Sequence, residues 1–487
     1  MSNKKIKNPV TIIYQDNIDF LKRELDVDTS FDLVHLELEY AERQMSLFLV
    51  DGFGKDQAIT QIQRELIRVK AEDLEDRPLD KLMKHHIPYA EIEATDDLDN
   101  VVDQVLAGPA ALVVEGIDQI ILVDTREYPV RGPEEPDTEK VIRGSKDGFV
   151  ETIVMNAALM RRRVRDRTMR VEHVSVGRRS KSDLAITYIA DIADQEYVQK
   201  IKAGLDKIET DGLPMGDKTI EEFIFGHNYN PYPMVRYTER PDVAASHLLE
   251  GHVIIMVDGS PSVMISPTTF WHHMQHAEEY RQKPLVGLVL RIVRYLAVWA
   301  SIFLIPLWYL LATNEQFRPE ALGFIGAEES GTIPLYIQFL AAEVGIEMLR
   351  MAAIHTPNAL ATALGLVAAL LIGDVAINVG LFSPEVVLYL AVAAVGTFAT
   401  PSYEMSLANR IIRVGLLIVT AIFGGPGFIV GTTIWLLMLV HLKPLDTPYM
   451  WPFIPFNSRA LKDVLFRVPI PTKKQRPQAI HPNDPDR

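Results

Sequence analysis

The residues placed to do chemistry in this chain sit in apolar surroundings. Glu343 and Glu347 stand four apart in PLYIQFLAAEVGIEMLRM (334–351), so on a helix they share one face. Asp374 interrupts the otherwise apolar run 360–382. A carboxylate held in hydrocarbon is costly and marks an ion path or a charged partner inside a bundle. If the 334–351 helix lies along a membrane surface instead, its carboxylates simply face water. Gly424, Gly425, Pro426 and Gly427 fall in the middle of a second apolar run, 411–442, and would break or gate any helix there.

The elements carrying these residues are membrane-like. Tyr295–Ala312 holds eighteen residues without a charge, roughly 27 Å of helix and close to the hydrocarbon thickness of a bilayer. Arg281, Lys283, Arg291 and Arg294 precede it, while Asn314 and Glu315 follow, so the chain is expected to cross from inside to outside. The 411–442 run makes about 48 Å of helix, too long for one span and too short for two full ones. A re-entrant hairpin and a broken helix both fit. Residues 385–400 make a short span, and Glu404, Arg410 and Arg413 read as a charged loop after it. The tail beyond Lys443 is basic and proline-rich, which favours an inside C-terminus. Four or six crossings satisfy that.

The front of the chain differs. Of 487 residues, 23% are charged and 48% hydrophobic, with a net charge of −15 concentrated before residue 285. Such a chain is not a general nucleic-acid partner. Without cysteine there are no disulfides or thiolate sites. MSNKKIKNPVTII lacks a signal-peptide core, so the front is expected in the cytoplasm. Alternating runs at 33–39, 46–50, 111–114, 119–123, 170–176, 184–190 and 253–257 predict strands between amphipathic helices. GFGKD (52–56) lacks phosphate-loop spacing, and Ser260 lacks the glycines of a nucleophile elbow. His272 and His276 stand four apart without further metal ligands. No catalytic constellation emerges, and neither enzyme activity, metal nor cofactor is expected.

Two segments carry further signals. Arg161, Arg162 and Arg163 open an arginine-rich stretch reaching residue 181, which suits either an anion site or pairing with the domain's own carboxylates. Asp258-Gly259-Ser260-Pro261 makes a tight turn. The segment 238–267, HAEEYRQ (276–282), the Arg291/Arg294 entry and the run EEPDTEKVIRGSKDGFVETIVMNAALMRRR (134–163) resemble the A subunits of spore germinant receptors, over roughly 110–441. Ser145-Lys146-Asp147 departs from that family's pattern: Lys146 keeps a charge but not an arginine's bidentate geometry.

These patterns read as an α/β cytosolic N-terminal half of two subdomains (1–125 and 126–285), an all-α multi-span membrane domain (286–442) and a cytoplasmic tail (443–487). The resemblance implies a non-enzymatic multi-pass subunit of the spore's inner membrane acting in germination, as an oligomeric cation channel or part of a receptor complex promoting ion release. Glu343, Glu347 and Asp374 would line the path. The alternative is a scaffold or signalling subunit that conducts nothing. Implied partners are further copies of the chain, B- and C-type receptor subunits or similar membrane proteins, and the phospholipid bilayer.

Overall fold

The computed structural model describes residues 8–54, 56–87, 91–126, 139–226, 229–323, 325–326, 333–354 and 375–486. The chain forms two compact units. The first comprises Met1–His227, Val235–Pro267 and Pro471–Arg487; the second comprises Asn228–Met234 and Thr268–Ile470. The helical unit is therefore an insertion within the sheet unit. Residues 471–487 of the expected tail belong to the sheet unit, while 443–470 stay with the helices.

The sheet unit is built twice from one plan. Its first half runs α1 (Tyr14–Leu25), β1 (Leu33–Tyr40), β2 (Arg43–Val50), α2 (Asp56–Leu66), β3 (Ile92–Thr95), α3 (Leu98–Ala107), β4 (Ala110–Val114) and β5 (Ile120–Val123). Its second half runs α4 (Ile153–Arg163), β6 (Met169–Val176), β7 (Ser182–Ile189), α5 (Gln195–Leu205), α6 (Asp217–Phe225), β8 (Arg236–Thr238), α7 (Pro241–Leu248), β9 (Val253–Val257) and β10 (Val263–Ser266). The sheets have strand orders β1-β2-β4-β5-β3 and β6-β7-β9-β10-β8, one topology repeated. Residues 98–116 and 241–259 align without a gap and keep Asp99/Asp242, Leu106/Leu249, Gly108/Gly251, Val114/Val257 and Gly116/Gly259. The glycines are retained for a reason: all four have positive φ (119°, 106°, 78° and 85°), ending a helix or turning a hairpin where a Cβ is disfavoured.

Each element follows from local chemistry. Asp97 caps α3 by accepting from the Asp99 amide, and Asp194 caps α5 by accepting from that of Glu196. Both faces of the first sheet are buried. Ile18, Leu21 and Leu25 of α1 and Val101, Val102 and Val105 of α3 cover one, with Phe48, Val50 and Val113 beneath. Ile62 and Leu66 of α2 cover the other, over Leu47 and Leu112.

The helical unit contains α8 (Pro284–Thr313), α9 (Leu335–Ile354), α10 (Pro384–Phe398), α11 (Tyr403–His441) and α12 (Ser458–Leu465). Among the described residues, α8 and α11 are long and apolar enough to cross a membrane. α11 is not straight. Gly424 has φ 61° and ψ −138°, a region open essentially to glycine. A Cβ on Gly427 would meet the Val419 carbonyl oxygen at 2.4 Å, and one on Gly431 would meet Leu416 Cδ2 at 2.9 Å. In a straight helix residues 416 and 431 would stand about 22 Å apart. α11 is therefore a hairpin of two antiparallel legs, 403–423 and 425–441, about 31 and 25 Å long.

The first leg corrects the expectation of a charged loop: Glu404, Arg410 and Arg413 lie on the helix, which begins at Tyr403 and not at Ile411. The added turns lengthen the first leg to about 31 Å. Tyr232 pins the hairpin, its hydroxyl donating to Asn409 Oδ1 (3.0 Å) and accepting from Trp435 Nε1 (2.8 Å).

Contacts fix the helix directions. Trp308 of α8 packs on Phe339 of α9 and Tyr389 of α10. Nearer the start of α8, Ser301 meets Arg413 and Ala297 meets Gly396, where an added Cβ would lie 2.3 Å from the Ala297 oxygen. Hence α9 and α10 both run antiparallel to α8. The Ser383 amide, entering α10, donates to Gln338 Oε1 of α9 at 2.8 Å. The apolar run 360–382, with Asp374, lies largely outside the described residues.

Candidate functional site

Glu343 is 5% exposed and faces the neighbouring helices rather than water. Arg413 of α11 grips it with two parallel bonds, Nε to Oε1 at 2.7 Å and Nη2 to Oε2 at 3.0 Å. Arg410 Nε adds a third, to Oε2 at 3.2 Å. One turn along α9, Glu347 takes Arg410 and Arg350, and Arg350 also bonds the Tyr403 hydroxyl. Arg413 Nη1 then donates to the Ser301 carbonyl at 2.6 Å and to Thr397 Oγ1 at 3.3 Å.

One guanidinium therefore ties α11 to α9, α8 and α10. Fork-on-fork geometry makes this pair strong and directional. Arg350, Arg410 and Arg413 outweigh Glu343 and Glu347 by one positive charge, so the cluster offers a cation no uncompensated carboxylate within the protomer. The sequence placed both glutamates on one face with Arg350 three residues beyond Glu347; Arg410 and Arg413 lie 63 and 70 residues from the glutamates they hold and gave no local signal. Asp374 falls outside the described residues.

The glycine-rich break occupies the hairpin tip. Gly425 lies where a Cβ would be 2.8 Å from Phe317, and Pro426 sits at the start of the returning leg. A tip without side-chain bulk lets the two legs approach and the loop after α8 pack over them.

The arginine-rich stretch pairs with the chain's own carboxylates. Arg161, fully buried, donates to Asp32 from Nε (3.0 Å) and Nη2 (3.1 Å), and from Nη1 to the Asp166 and Met169 carbonyls. Arg167 reaches Asp99 and Asp103, both at 3.0 Å. Arg163 holds Asp147 at 2.6 Å and Ser145 at 2.7 Å, while Arg162 is exposed. The Arg161 and Arg167 bonds join the two halves of the sheet unit, while those of Arg163 stay within the second.

Asp258 Oδ1 accepts from the Ile153 amide (3.0 Å) and Gly259 N donates to Glu151 O (2.7 Å), so the β9–β10 turn caps the start of α4. Ser260 Oγ donates to Asp217 at 3.1 Å, beside Pro261, and is engaged structurally. His272 and His276 do not share a helix. His272 opens a short 3-10 turn, and His276 caps the following helix by accepting from the Glu278 amide. Two histidines the sequence did not single out, His247 and His252, are buried 5.0 Å apart at the end of α7. Burial pushes the His252 pKa down to about 4 and His247 well below its ordinary value.

The fold and its charged core define a two-body protein: a duplicated α/β unit carrying an inserted bundle of apolar helices locked by buried ion pairs. The chain belongs to the Bacillus/Clostridium GerA spore germination protein family, whose profile matches residues 19–479. It is 49% identical over 468 residues to Stage V sporulation protein AF of Bacillus subtilis (strain 168), covering 96% of this chain and 95% of that one. It is 30% identical over 476 residues to Spore germination protein KA of the same strain, covering 96% and 87%. Among solved structures it matches the N-terminal domain of the A subunit of the Bacillus megaterium spore germinant receptor GerK3. That match has 24% identity and a TM-score of 0.42, covering 54% of this chain and 98% of that one.

Proposed function

We propose that the chain is a non-enzymatic membrane subunit acting in spore germination, in a germinant-receptor-type complex that promotes ion release. Membership of the GerA family over nearly the whole chain supports the germination role. The expected setting is the spore inner membrane, with the sheet unit on the cytoplasmic side. Lys283 before α8 and Glu315 after it support that orientation. The sheet unit holds both the segment before the helices and the segment after them. We take both to lie on one side of the membrane, which calls for an even number of crossings, four or six.

The observation carrying the ion-release reading is the Arg413 grip on Glu343, which joins four helices through one buried pair. We read it as a lock on the bundle rather than as a cation filter, because both carboxylates are already neutralised. Ions would then pass between copies of the chain or its B- and C-type partners when the lock opens. A ring of bare carboxylates would have favoured a filter.

Ion flux from liposomes holding the full-length protein tests this. A lock predicts that Glu343→Gln and Arg413→Gln both raise leak, and to similar extents. A filter predicts that Glu343→Gln abolishes cation leak while Arg413→Gln does not, with Asp374→Asn run alongside. No leak from any variant, even with family partners present, leaves the scaffold reading.

A further inference from the structure

α8 is longer than a membrane is thick. Its 30 residues span about 45 Å against roughly 30 Å of hydrocarbon. With Asn314 at the far surface, the near boundary falls around Arg294 and Tyr295. At that level the chain after the hairpin, 451–466, is fastened to α8. Arg291, buried against Glu279 at 2.7 Å, donates to the Asp463 and Val464 carbonyls, both at 3.0 Å. The Tyr295 hydroxyl donates to the Val464 carbonyl at 2.9 Å. Trp271 stacks on Phe453 at 4.5 Å and sets its edge against Tyr295. This elbow therefore has a fixed height on the bundle.

Its outer surface is apolar and basic together. Ile454, Phe456 and Phe466 are 49%, 71% and 52% exposed. Arg459 and Lys462 of α12 are exposed beside them, and Asp463 is the acidic neighbour. Arg281 and Lys283 extend the basic surface on the adjoining segment, which Arg467 ties to the elbow through the Tyr280 carbonyl at 2.9 Å. Aromatic and aliphatic side chains flanked by cations suit the boundary between acyl chains and headgroups. Four exposed cations against the exposed Asp463 and the half-buried Glu278 suit anionic lipids.

We infer that residues 451–466 form an in-plane anchor seated on the anionic headgroup layer, with Ile454, Phe456 and Phe466 inserted and Arg459 and Lys462 on phosphates. The inference rests on the reading that α8 spans the membrane. It gives the bundle a collar that fixes its depth and tilt.

The chain has no cysteine, so single-cysteine labelling of the full-length protein is direct. Phe456→Cys carrying an environment-sensitive fluorophore is placed in vesicles of phosphatidylglycerol and phosphatidylcholine. Leu307→Cys on α8 and Val392→Cys on α10, 41% and 46% exposed and near mid-depth, report the span. Position 456 is expected to be quenched by shallow spin-labelled lipid and shielded from iodide, with 307 and 392 quenched by deep lipid. Replacing Arg459 and Lys462 by Ala, or omitting phosphatidylglycerol, is expected to weaken seating about fivefold per charge and to raise iodide access. Position 456 open to iodide while 307 and 392 stay deep overturns the anchor and leaves the span intact. Shielding at 456 from iodide and lipid quenchers alike means that protein covers the elbow, and also overturns it. Iodide access at all three positions removes the span itself and the anchor with it.

Discussion

Asp32→Ala gives a sharp test of what holds the sheet unit together. Asp32 and Arg161 are both fully buried and joined by two bonds of 3.0 and 3.1 Å across the two halves of the unit. Removing the carboxylate leaves a buried guanidinium with only the Asp166 and Met169 carbonyls, at 3.3 and 3.2 Å. Stranding one partner of a buried pair costs about 3–5 kcal/mol. With a urea slope near 3 kcal/mol per M, the midpoint should fall by about 1–1.7 M. Tryptophan fluorescence cannot report this, because Trp271, Trp299, Trp308, Trp435 and Trp451 all lie in the helical unit. Pulsed hydrogen exchange read on peptides covering 26–50 and 150–176 can. Asp32→Leu with Arg161→Met removes both charges and should recover most of the loss. A single variant losing under ~1 kcal/mol, or a double variant no better than the single, would refute the account of Arg161 as a paired core residue.

Other outcomes follow from geometry already described. Gly427→Ala must push the hairpin tip off Val419, costing about 1–3 kcal/mol and raising hydrogen exchange over 416–431. Tyr232→Phe removes the bond to Asn409 and the one from Trp435, and should cost about 1–3 kcal/mol, read as faster exchange in both legs. Stability of the sheet unit should be flat above pH 6.5 with respect to His252. It should then fall as pH drops from 6.5 towards about 4, because the unfolded chain takes up a proton that the folded one refuses. Burial dominates this shift; the Arg236 and Lys473 charges add to it, and Glu250 opposes it. Urea midpoints at pH 7.5 and 5, compared with His252→Leu, check the sign: the variant should lose less on acidification.

Much of this was legible because it is local. Alternating apolar runs marked seven of the strands, and Asp-Gly and Glu-Gly marked the hairpins. Gly424–Gly427 announced a break, although the sequence could not say whether the chain bent or reversed. What stayed hidden was pairing at a distance. Arg410 and Arg413 looked like loop charges because their partners are on another helix, and Arg161 lies 129 residues from Asp32. The repeat of 98–116 in 241–259 was present in the letters, but it rests on a few residues that become noticeable only when two sheets show the same strand order.

The discontinuity of the sheet unit has a consequence for how the protein is made. Its last segment, Pro471–Arg487, completes the surface around α7, with Lys473 on Glu250 at 2.8 Å and the Asn483 amide on the Ile192 carbonyl at 2.8 Å. Domains otherwise tend to fold in order of synthesis. Here the body begun first is closed last, after every bundle helix has left the ribosome. A nascent chain stalled anywhere before residue 471 therefore carries a sheet unit with the rim of its second half uncovered. Stop codons introduced within 471–487 should be sensed there, as protease-sensitive chains, rather than in the helices they immediately follow.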